Sequence, residues 1–206
     1  MGENWFSYPQ LYKEMLDKFP SGSHFVEIGS WKGKSAAFMA VEIHNSGKSI
    51  KFDCIDIWED SPDIAHLIEP GLTLFETFER NISPVRSLIN PIRSDSVKAA
   101  ANYADGSLDF VFIDGDHSYE GFKRDLQTWL PKMKPNGSII AGHDYGWDNE
   151  VGRGIRTAVE EVVGGGKFYN DPWGGECFIL DMVDGVPVKY NDVASVEKEI
   201  DAVIGA

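Results

Sequence analysis

Short apolar runs of strand length alternate with amphipathic segments of helical period along most of the chain. Five runs rich in β-branched and aromatic residues predict strands, at positions 24–29, 52–57, 87–92, 108–114 and 138–142. Segments between and after them with apolar residues three or four apart predict helices, at positions 33–44, 72–82, 94–103 and 119–130. Strands that alternate regularly with helices favour an α/β fold built on a parallel sheet.

The flanking segments extend this pattern in both directions. A short amphipathic helix is predicted at 8–19, and a longer one at 153–163 ends at three consecutive glycines, which favour a helix end. Two further strands are predicted at 167–170 and 176–182, and a closing helix at 193–204. The chain is therefore expected to form a mostly parallel sheet of seven strands.

Nothing in the composition divides the chain. A length of 206 residues suits one domain, and there is no linker or internal repeat. We therefore expect a single domain over 1–206, with an N-terminal helical extension at 1–22. The one long insertion, at 59–71, follows the second predicted strand, where insertions often form lids.

The charge balance restricts the partners. The chain has 19 basic and 33 acidic residues, a net charge of −14, which argues against binding to nucleic-acid phosphates or to anionic membranes. It shows no apolar run long enough to span a bilayer and no signal peptide, and its two cysteines lack the spacing of a disulfide framework or metal site. A cytoplasmic protein is expected, and whether it forms a homodimer is left open.

Polar residues follow every one of the five central strands. In open parallel sheets, ligands bind beyond the carboxyl ends of the strands. The segments at those ends are 27–33, 56–58, 94–96, 114–117 and 142–145. This concentration of polar side chains predicts a ligand site along one edge of the sheet.

The loop after the first strand contains Gly29 and Gly33, which permit a tight turn ahead of a helix. Trp31 stands where the dinucleotide-binding fingerprint has its second glycine, so the loop departs from that fingerprint. Close approach of a ligand and an ordinary strand-to-helix turn both remain open for it.

The ends of the second and third strands offer contacts for a nucleoside. Asp56 lies at the position where a carboxylate can meet two ribose hydroxyls, or it caps a helix or is solvated. Trp58 can stack on a purine or simply pack against the sheet edge. Asp95 and Ser96 precede a predicted helix, where a helix N-cap and a ligand contact are compatible.

The ends of the fourth and fifth strands carry the most specific pattern. Asp114, Asp116, His117, His143 and Asp144 should converge, because these two strands are expected to be neighbours. Three carboxylates and two imidazoles in one cleft are costly unless a cation or a proton-transfer task holds them there. The alternative is that these loop residues merely hydrogen-bond one another and cap helices. Mg²⁺ or a similar cation suits the oxygen ligands, and a histidine suits the general base.

Three segments together resemble the class I S-adenosylmethionine-dependent methyltransferases, in the branch that includes catechol and macrolide-sugar O-methyltransferases. They are V-E-I-G-S-W-K-G-K-S at 26–35, F-I-D-G-D-H-S-Y at 112–119, and the run from 129 to 145 that contains K-P-N-G-S-I-I-A-G-H-D-Y. The resemblance covers about 24–181. It implies a Rossmann-like, doubly wound sheet with helices on both faces and an antiparallel last strand.

The resemblance also implies roles for individual residues. The expected contacts of S-adenosylmethionine are Glu27, Gly29, Ser30, Trp31, Gly33, Ser35, Asp56, Ile57, Trp58, Asp95, Ser96 and Asp114. Among these, Glu27 and the two glycines would frame the methionine part, and Asp56 would hold the ribose. In metal-dependent relatives the corresponding positions bind Mg²⁺, which points to Asp114, His143 and Asp144, although His143 departs from the oxygen ligand usual there.

The predicted reaction is methyl transfer to a hydroxyl of a small acceptor such as a sugar, a catechol-like compound or a natural product. His117, or Asp114 with a metal, would take the hydroxyl proton. Two alternatives remain: an iron-dependent hydroxylase on the same scaffold, and an adenosine-nucleotide-binding module without catalysis.

Overall fold

A central sheet organises the computed structural model, which describes residues 5–188. Its seven main strands are β1 His24–Ile28, β2 Lys51–Asp56, β3 Asn90–Arg93, β4 Phe110–Ile113, β5 Ile139–Gly142, β6 Lys167–Asn170 and β7 Glu176–Val183. They lie in the order β3-β2-β1-β4-β5-β7-β6, and a two-residue strand β8, Val186–Pro187, pairs with β7. Strands β1 to β5 all pair in parallel with their neighbours, whereas β7 is antiparallel to both β5 and β6. The predicted fold class is confirmed.

Six α-helices accompany the sheet within the described residues. They are α1 Pro9–Lys18, α2 Lys34–Ser46, α3 Leu74–Ile82, α4 Ser96–Ala100, α5 Tyr119–Trp129 and α6 Glu150–Val163. Local sequence sets several of their ends. Thr73 and Glu76 form a reciprocal capping box at the start of α3, and Gly164 adopts the left-handed conformation that ends α6.

Alternation along the buried strands places a hydrophobic core on each face of the sheet. In β4, Phe110 and Phe112 pack with residues of α1, α2 and α3, whereas Val111 and Ile113 pack with residues of α4, α5 and α6. All four side chains are almost fully buried. A strand that is apolar on both sides can only lie in the middle of such a layered structure, which explains the position of β4.

Three predicted elements differ from the structure by three residues at one end. The third strand starts at Asn90 and not at 87, because Ser83–Leu88 forms a 3₁₀ helix with a proline as its second residue. The helix predicted at 94–103 is only Ser96–Ala100, and α6 begins three residues early because Asn149 caps it. The closing helix predicted at 193–204 lies outside the described residues.

The described helices are short. The 14 residues of α6 make it the longest of them, and no helix within 5–188 has the length and apolar character needed to cross a bilayer.

Cys54 and Cys177 are buried and unpaired.

The segment at 59–71 lies against the first loop. It contains one 3₁₀ turn, Ala65–Leu67, and the ammonium group of Lys32 donates a hydrogen bond of 2.7 Å to the carbonyl of Leu67. Glu59 and Ile64 from this segment line a cavity at the carboxyl ends of the parallel strands.

Candidate active site

A cavity of about 1490 Å³ opens at the carboxyl ends of β1 to β5. Most of the residues predicted to form the site line it, namely Gly29, Ser30, Trp31, Gly33, Ser35, Asp56, Ile57, Asp95, Ser96, Asp114, His117, His143 and Asp144. Two predicted residues, Glu27 and Trp58, do not. The strand ends therefore converge as the parallel sheet predicts, with these two exceptions.

Trp58 belongs to the hydrophobic core. Its side chain is fully buried, its indole N–H donates to the carbonyl of Trp31 at 2.8 Å, and its ring packs against Phe78 with a centroid separation of 4.4 Å. Ile57, by contrast, is half exposed and lines the cavity. The packing alternative describes Trp58, and the structure does not support its predicted contact with a purine.

Glu27 lies beneath the floor of the cavity. The hydroxyl of Tyr12 donates a hydrogen bond of 2.7 Å to its Oε2. Its Oε1 and the neighbouring Ser30 Oγ are buried without a hydrogen-bond partner among the described residues. Burial raises the pKa of Glu27 to about 7, although the hydrogen bond from Tyr12 favours the ionised form. Two unsatisfied acceptors in a buried place fit a cationic donor such as the ammonium of a bound methionine group.

The glycines of the first loop serve the packing of the chain itself. Gly29 has φ +84°, and a Cβ there would lie 2.0 Å from the carbonyl oxygen of Asp114. A Cβ on Gly33 would lie 2.8 Å from the side chain of Ile82. Both positions are therefore fixed by contacts within the protein, whether or not a ligand also approaches this loop.

A substitution at Gly29 tests this explanation. We expect G29A to lower the free energy of unfolding by more than about 4 kcal/mol, because it adds a backbone clash to the strain of a positive φ. Gly22 is the matched control, since it has φ +91° and open space around it. G22A should cost only about 1–2 kcal/mol. Equal losses in denaturant unfolding would mean that the clash is relieved by movement of the chain.

Asp56 orders the first loop from the end of β2. Its Oδ2 accepts hydrogen bonds from the backbone N–H groups of Ser30 and Trp31, both at 2.9 Å, and its Oδ1 accepts one from Trp58 at 2.7 Å. Burial raises the pKa of Asp56, while these backbone donors favour the ionised form. The carboxylate therefore holds the loop in shape and also faces the cavity.

The end of β3 fulfils the capping interpretation. Asp95 caps α4 by accepting a hydrogen bond from the backbone N–H of Lys98 at 3.0 Å. The hydroxyl of Ser96 donates to the carboxylate of Asp125, a residue of α5 that the sequence did not bring to attention. Both side chains line the cavity, but each already has a partner within the protein.

Two imidazoles and two carboxylates meet at the ends of β4 and β5. His117 Nε2 lies 3.3 Å from Asp114 Oδ1 and 2.9 Å from Asp144 Oδ2. His143 Nδ1 lies 2.8 Å from Asp144 Oδ1 and 3.6 Å from Asp114 Oδ1. Asp144 has a positive φ of 59°, a strained conformation that is concentrated at functional sites. The four side chains, called the His–Asp cluster below, therefore form one electrostatic unit.

The pKa values in the His–Asp cluster are coupled. Hydrogen bonds to Asp114 and Asp144 raise the pKa of His117 to about 10. Burial opposes a charge on His143, yet the same two carboxylates outweigh it and raise its pKa to about 9. Burial likewise opposes ionisation of Asp114, but the two imidazoles hold its pKa well below the usual range. Without a further cation, both imidazoles balance the carboxylates as imidazolium ions.

The His–Asp cluster also has the donor set of a cation site. One donor atom from each of Asp114, His143 and Asp144 lies within 4.8 Å of the others. Asp144 Oδ1 is buried and lies 2.8 Å from His143 Nδ1, so the carboxylate and the imidazole converge on one point. His143 Nε2 lies 3.0 Å from Ser7 Oγ, which fixes the ring and leaves Nδ1 toward the carboxylates. These residues fit a divalent cation.

The sequence interpretation missed Ser7 and Tyr8. Both line the cavity from the segment before α1, and the Tyr8 hydroxyl donates to Asp114 Oδ2 at 2.9 Å. Its ring packs between Phe112 and His143, at centroid separations of 4.4 and 4.9 Å. The available signal was the pair Tyr8 and Tyr12, four residues apart within the apolar pattern predicted at 8–19, since buried tyrosines require partners for their hydroxyls.

A comparison with known families identifies the group to which this site belongs. The family model described as "Methyltransferase domain" matches residues 26–145, more than half of the chain. The chain belongs to this methyltransferase family. It is an S-adenosylmethionine-dependent methyltransferase, as the resemblance of its motifs implied.

Solved structures share the fold of this methyltransferase. The O-methyltransferase NovP has a TM-score of 0.59 at 15% identity, covering 85% of this chain and 79% of its own. The TDP-rhamnose 3′-O-methyltransferase CalS11 of calicheamicin biosynthesis has a TM-score of 0.52 at 17% identity, covering 82% and 75%. A Corynebacterium glutamicum protein has a TM-score of 0.54 at 16% identity, covering 85% and 80%. At such low identities these likenesses concern the fold alone.

A curated relative matches only a small part of the methyltransferase. The uncharacterized protein y4gI of Sinorhizobium fredii is 34% identical over 53 residues, which are 26% of this chain and 6% of that protein. The chain therefore spans a small fraction of the length of this relative. The match adds no function.

Proposed function

We propose that this methyltransferase methylates a hydroxyl group of a small molecule with the assistance of a divalent cation. The observation that carries the proposal is the His–Asp cluster. It places a candidate proton acceptor beside three residues that can each offer a ligand atom to a cation. The names of NovP and CalS11, both O-methyltransferases, give it further support. The net charge of −14 favours a small acceptor over a nucleic acid.

The cofactor is proposed to lie along the ends of β1, β2 and β4. When bound, S-adenosylmethionine supplies a methyl group on a positively charged sulfur. Glu27 and Ser30 offer unsatisfied acceptors for its ammonium group, and Asp56 faces the place for its ribose. Ile57, half exposed beside Asp56, offers an apolar face for the adenine. This placement would direct the methyl group toward the His–Asp cluster.

His117 is the proposed proton acceptor, with Asp114 as the alternative. The side chain of His117 is 45% exposed and lines the cavity, so a hydroxyl can reach it. Because two carboxylates hold it as an imidazolium ion, His117 must lose a proton before it can act as a base. Asp114, His143 and Asp144 would hold the cation, which would lower the pKa of the acceptor hydroxyl and offset the carboxylates that keep His117 protonated.

Aromatic side chains are proposed to form the walls that receive the acceptor. Trp5 is half exposed and its ring lies 5.4 Å from that of Trp31, and Trp147 lies across the His–Asp cluster with its ring 6.0 Å from that of His143. The segment at 59–71 would close over this space as a lid. Such walls suit a compact acceptor with a flat or ring-shaped face.

Removal of divalent cations tests whether a cation assists the methyl transfer. The assay follows transfer of a labelled methyl group to a panel of small hydroxyl compounds, before and after treatment with a chelator. We expect the chelator to reduce turnover at least about 10-fold, because loss of a charge-stabilising group costs several kcal/mol, and Mg²⁺ or Mn²⁺ to restore it. D144N should lose the response to added cation. D105N, a change at an exposed carboxylate, is the control. Full turnover in chelator would show that the reaction needs no cation, and a product methylated on nitrogen or carbon would overturn O-methylation.

A further inference from the structure

Tyr8 joins the segment before α1 to the His–Asp cluster. Its side chain is buried, and its hydroxyl donates a hydrogen bond of 2.9 Å to Asp114 Oδ2. The other oxygen of this carboxylate, Oδ1, lies 3.3 Å from His117 Nε2 and 3.6 Å from His143 Nδ1. The two oxygens of Asp114 therefore have separate partners, with Oδ2 bonded to the phenol and Oδ1 directed at the imidazoles.

The ring of Tyr8 is held on several sides. It packs against Phe112 and His143 at centroid separations of 4.4 and 4.9 Å, and against Phe6 and Tyr12 at 4.9 and 5.2 Å. The oxygen of a phenol lies on the axis about which the ring flips, so a flip leaves it in place. A ring that is packed in this way keeps the hydroxyl at one point beside Asp114.

The backbone around Tyr8 is anchored by the hairpin that joins β6 to β7. The side chain of Tyr8 does not cap α1, and the N–H of Leu11 in its first turn instead donates to Oδ2 of the buried Asp171 at 2.9 Å. A Cβ on Gly175 would lie 2.5 Å from the carbonyl oxygen of Ser7, so the hairpin also packs directly against the chain before the helix. Contacts from a distant part of the sequence thus fix where Tyr8 enters the site.

The orientation of a carboxylate depends on such partners. Its last side-chain torsion has a broad energy minimum, so hydrogen bonds decide which way its two oxygens point. A phenol has a pKa of about 10 and therefore keeps its hydrogen for donation at neutral pH. Where a carboxylate ligates a metal, the residue that hydrogen-bonds to it sets its direction, and loss of that residue typically costs about 10- to 100-fold in metal affinity or activity.

We propose that Tyr8 is a positioning residue, whose hydroxyl holds Asp114 with Oδ1 toward both imidazoles and so prepares the His–Asp cluster for its cation and for proton transfer. The proposal rests on the function proposed above. Tyr8 acts through Asp114 and not on the acceptor, because its single hydrogen is already used in the bond to the carboxylate. The segment before α1 is then a working part of the site.

The test removes the hydroxyl and keeps the ring. Binding of Mn²⁺ to the full chain is measured by the loss of the paramagnetic resonance signal of the free ion, for wild-type protein and for Y8F. We expect the dissociation constant to rise by about 10- to 100-fold in Y8F. Turnover at the cation concentration that half-saturates wild-type protein should fall at least about 5-fold, while the KM for S-adenosylmethionine stays within about 3-fold.

Tyr103 supplies the matched control. It is another buried tyrosine, and its hydroxyl donates a bond of 2.8 Å to Oδ2 of the buried Asp53. Neither of these two residues lines the cavity. Y103F therefore loses an equivalent bond away from the site, and it should keep the wild-type Mn²⁺ affinity and turnover. Denaturant unfolding of both variants checks that each is folded under the conditions of the assay.

The outcomes separate the role of Tyr8 from the cation itself. Wild-type Mn²⁺ affinity in Y8F would overturn the role of Tyr8 and leave the cation site intact. An equal loss of affinity in Y103F would also overturn it, because the effect would then follow from the loss of any buried bond. If wild-type protein bound no Mn²⁺, the proposed cation assistance would fail and turnover would decide. A loss of about 10-fold or more in Y8F alone would then support the placement of Asp114 beside His117, and wild-type turnover would overturn it.

Discussion

Replacing His117 by alanine is expected to reduce turnover by about 10²- to 10⁴-fold, the contribution typical of a positioned general base. His117 sits between Asp114 and Asp144 with its side chain nearly half exposed to the cavity. No other described imidazole is both at this position and open to an acceptor, because His143 is almost fully buried. Cofactor binding should stay within about 3-fold of wild type, since His117 touches none of the residues proposed to hold the cofactor's ammonium or ribose.

Two measurements distinguish a base from a residue that only shapes the site. Added imidazole should restore part of the turnover of H117A, because a small base can enter the space that the side chain leaves. H44A, a change at an exposed histidine near the end of α2, should leave turnover unchanged. Unchanged turnover in H117A would mean that Asp114, and not His117, accepts the proton, and D114N would then be the inactive variant. A loss without rescue by imidazole would mean that His117 acts by holding the two carboxylates.

The layered sheet could be predicted because the apolar or polar character of each strand's residues indicates where the strand lies in the sheet. The four residues of β4 are apolar without interruption, which only a strand covered on both faces tolerates, and polar residues follow directly at 114–117. The parallel arrangement then brings the ends of β4 and β5 together. For that reason the sequence alone groups Asp114, Asp116, His117, His143 and Asp144, of which all but Asp116 form the His–Asp cluster.

The third strand shows where local pattern fails. Apolar residues at 85, 88 and 89 imitate the start of a strand, but they belong to the 3₁₀ helix that begins near Pro84 and to the residue that follows it. The strand itself is defined by its pairing with β2, and this pairing begins at Asn90. The period of such a short apolar run does not distinguish the two states.

The contacts that the sequence could not predict are those made between distant segments. Tyr8 reaches Asp114 across 106 positions, and Asp125 meets Ser96 across 29. Trp58 follows a strand as a ligand-stacking residue would, yet α3 covers it through Phe78. Whether a side chain at a strand end faces the cavity or the core depends on which helix packs over it, and that is a property of the tertiary structure.

The exchange of Glu27 for glutamine is expected to weaken cofactor binding and to stabilise the protein at the same time. Loss of a charged acceptor for the ammonium group should raise the dissociation constant of S-adenosyl-homocysteine by about 10- to 100-fold. Glutamine can still accept the bond from Tyr12, and its amide can donate to the unsatisfied Ser30 Oγ. The buried charge, however, disappears, so the free energy of unfolding should rise at neutral and alkaline pH.

The direction of the pH dependence follows from the raised pKa. In the unfolded chain a glutamate ionises near pH 4.3, whereas folded Glu27 ionises at about 7. Between these values the folded protein retains a proton that the unfolded chain has lost, so the contribution of Glu27 to stability falls as the pH rises through this window. E27Q has no such loss. Its advantage over wild type should therefore grow from pH 5 to pH 8 and reach about 2–4 kcal/mol.

Denaturant unfolding at pH 5 and pH 8 measures this difference, and calorimetry measures binding of S-adenosyl-homocysteine. E160Q, which neutralises an exposed carboxylate on α6, should show neither effect. If E27Q bound the compound as tightly as wild type, the ammonium group would have to be held elsewhere. If it were less stable than wild type at pH 8, the carboxylate would already be satisfied in the ligand-free protein. Both effects together would mean that stability at neutral pH is given up at Glu27 in exchange for a buried charge that a cationic ligand can use.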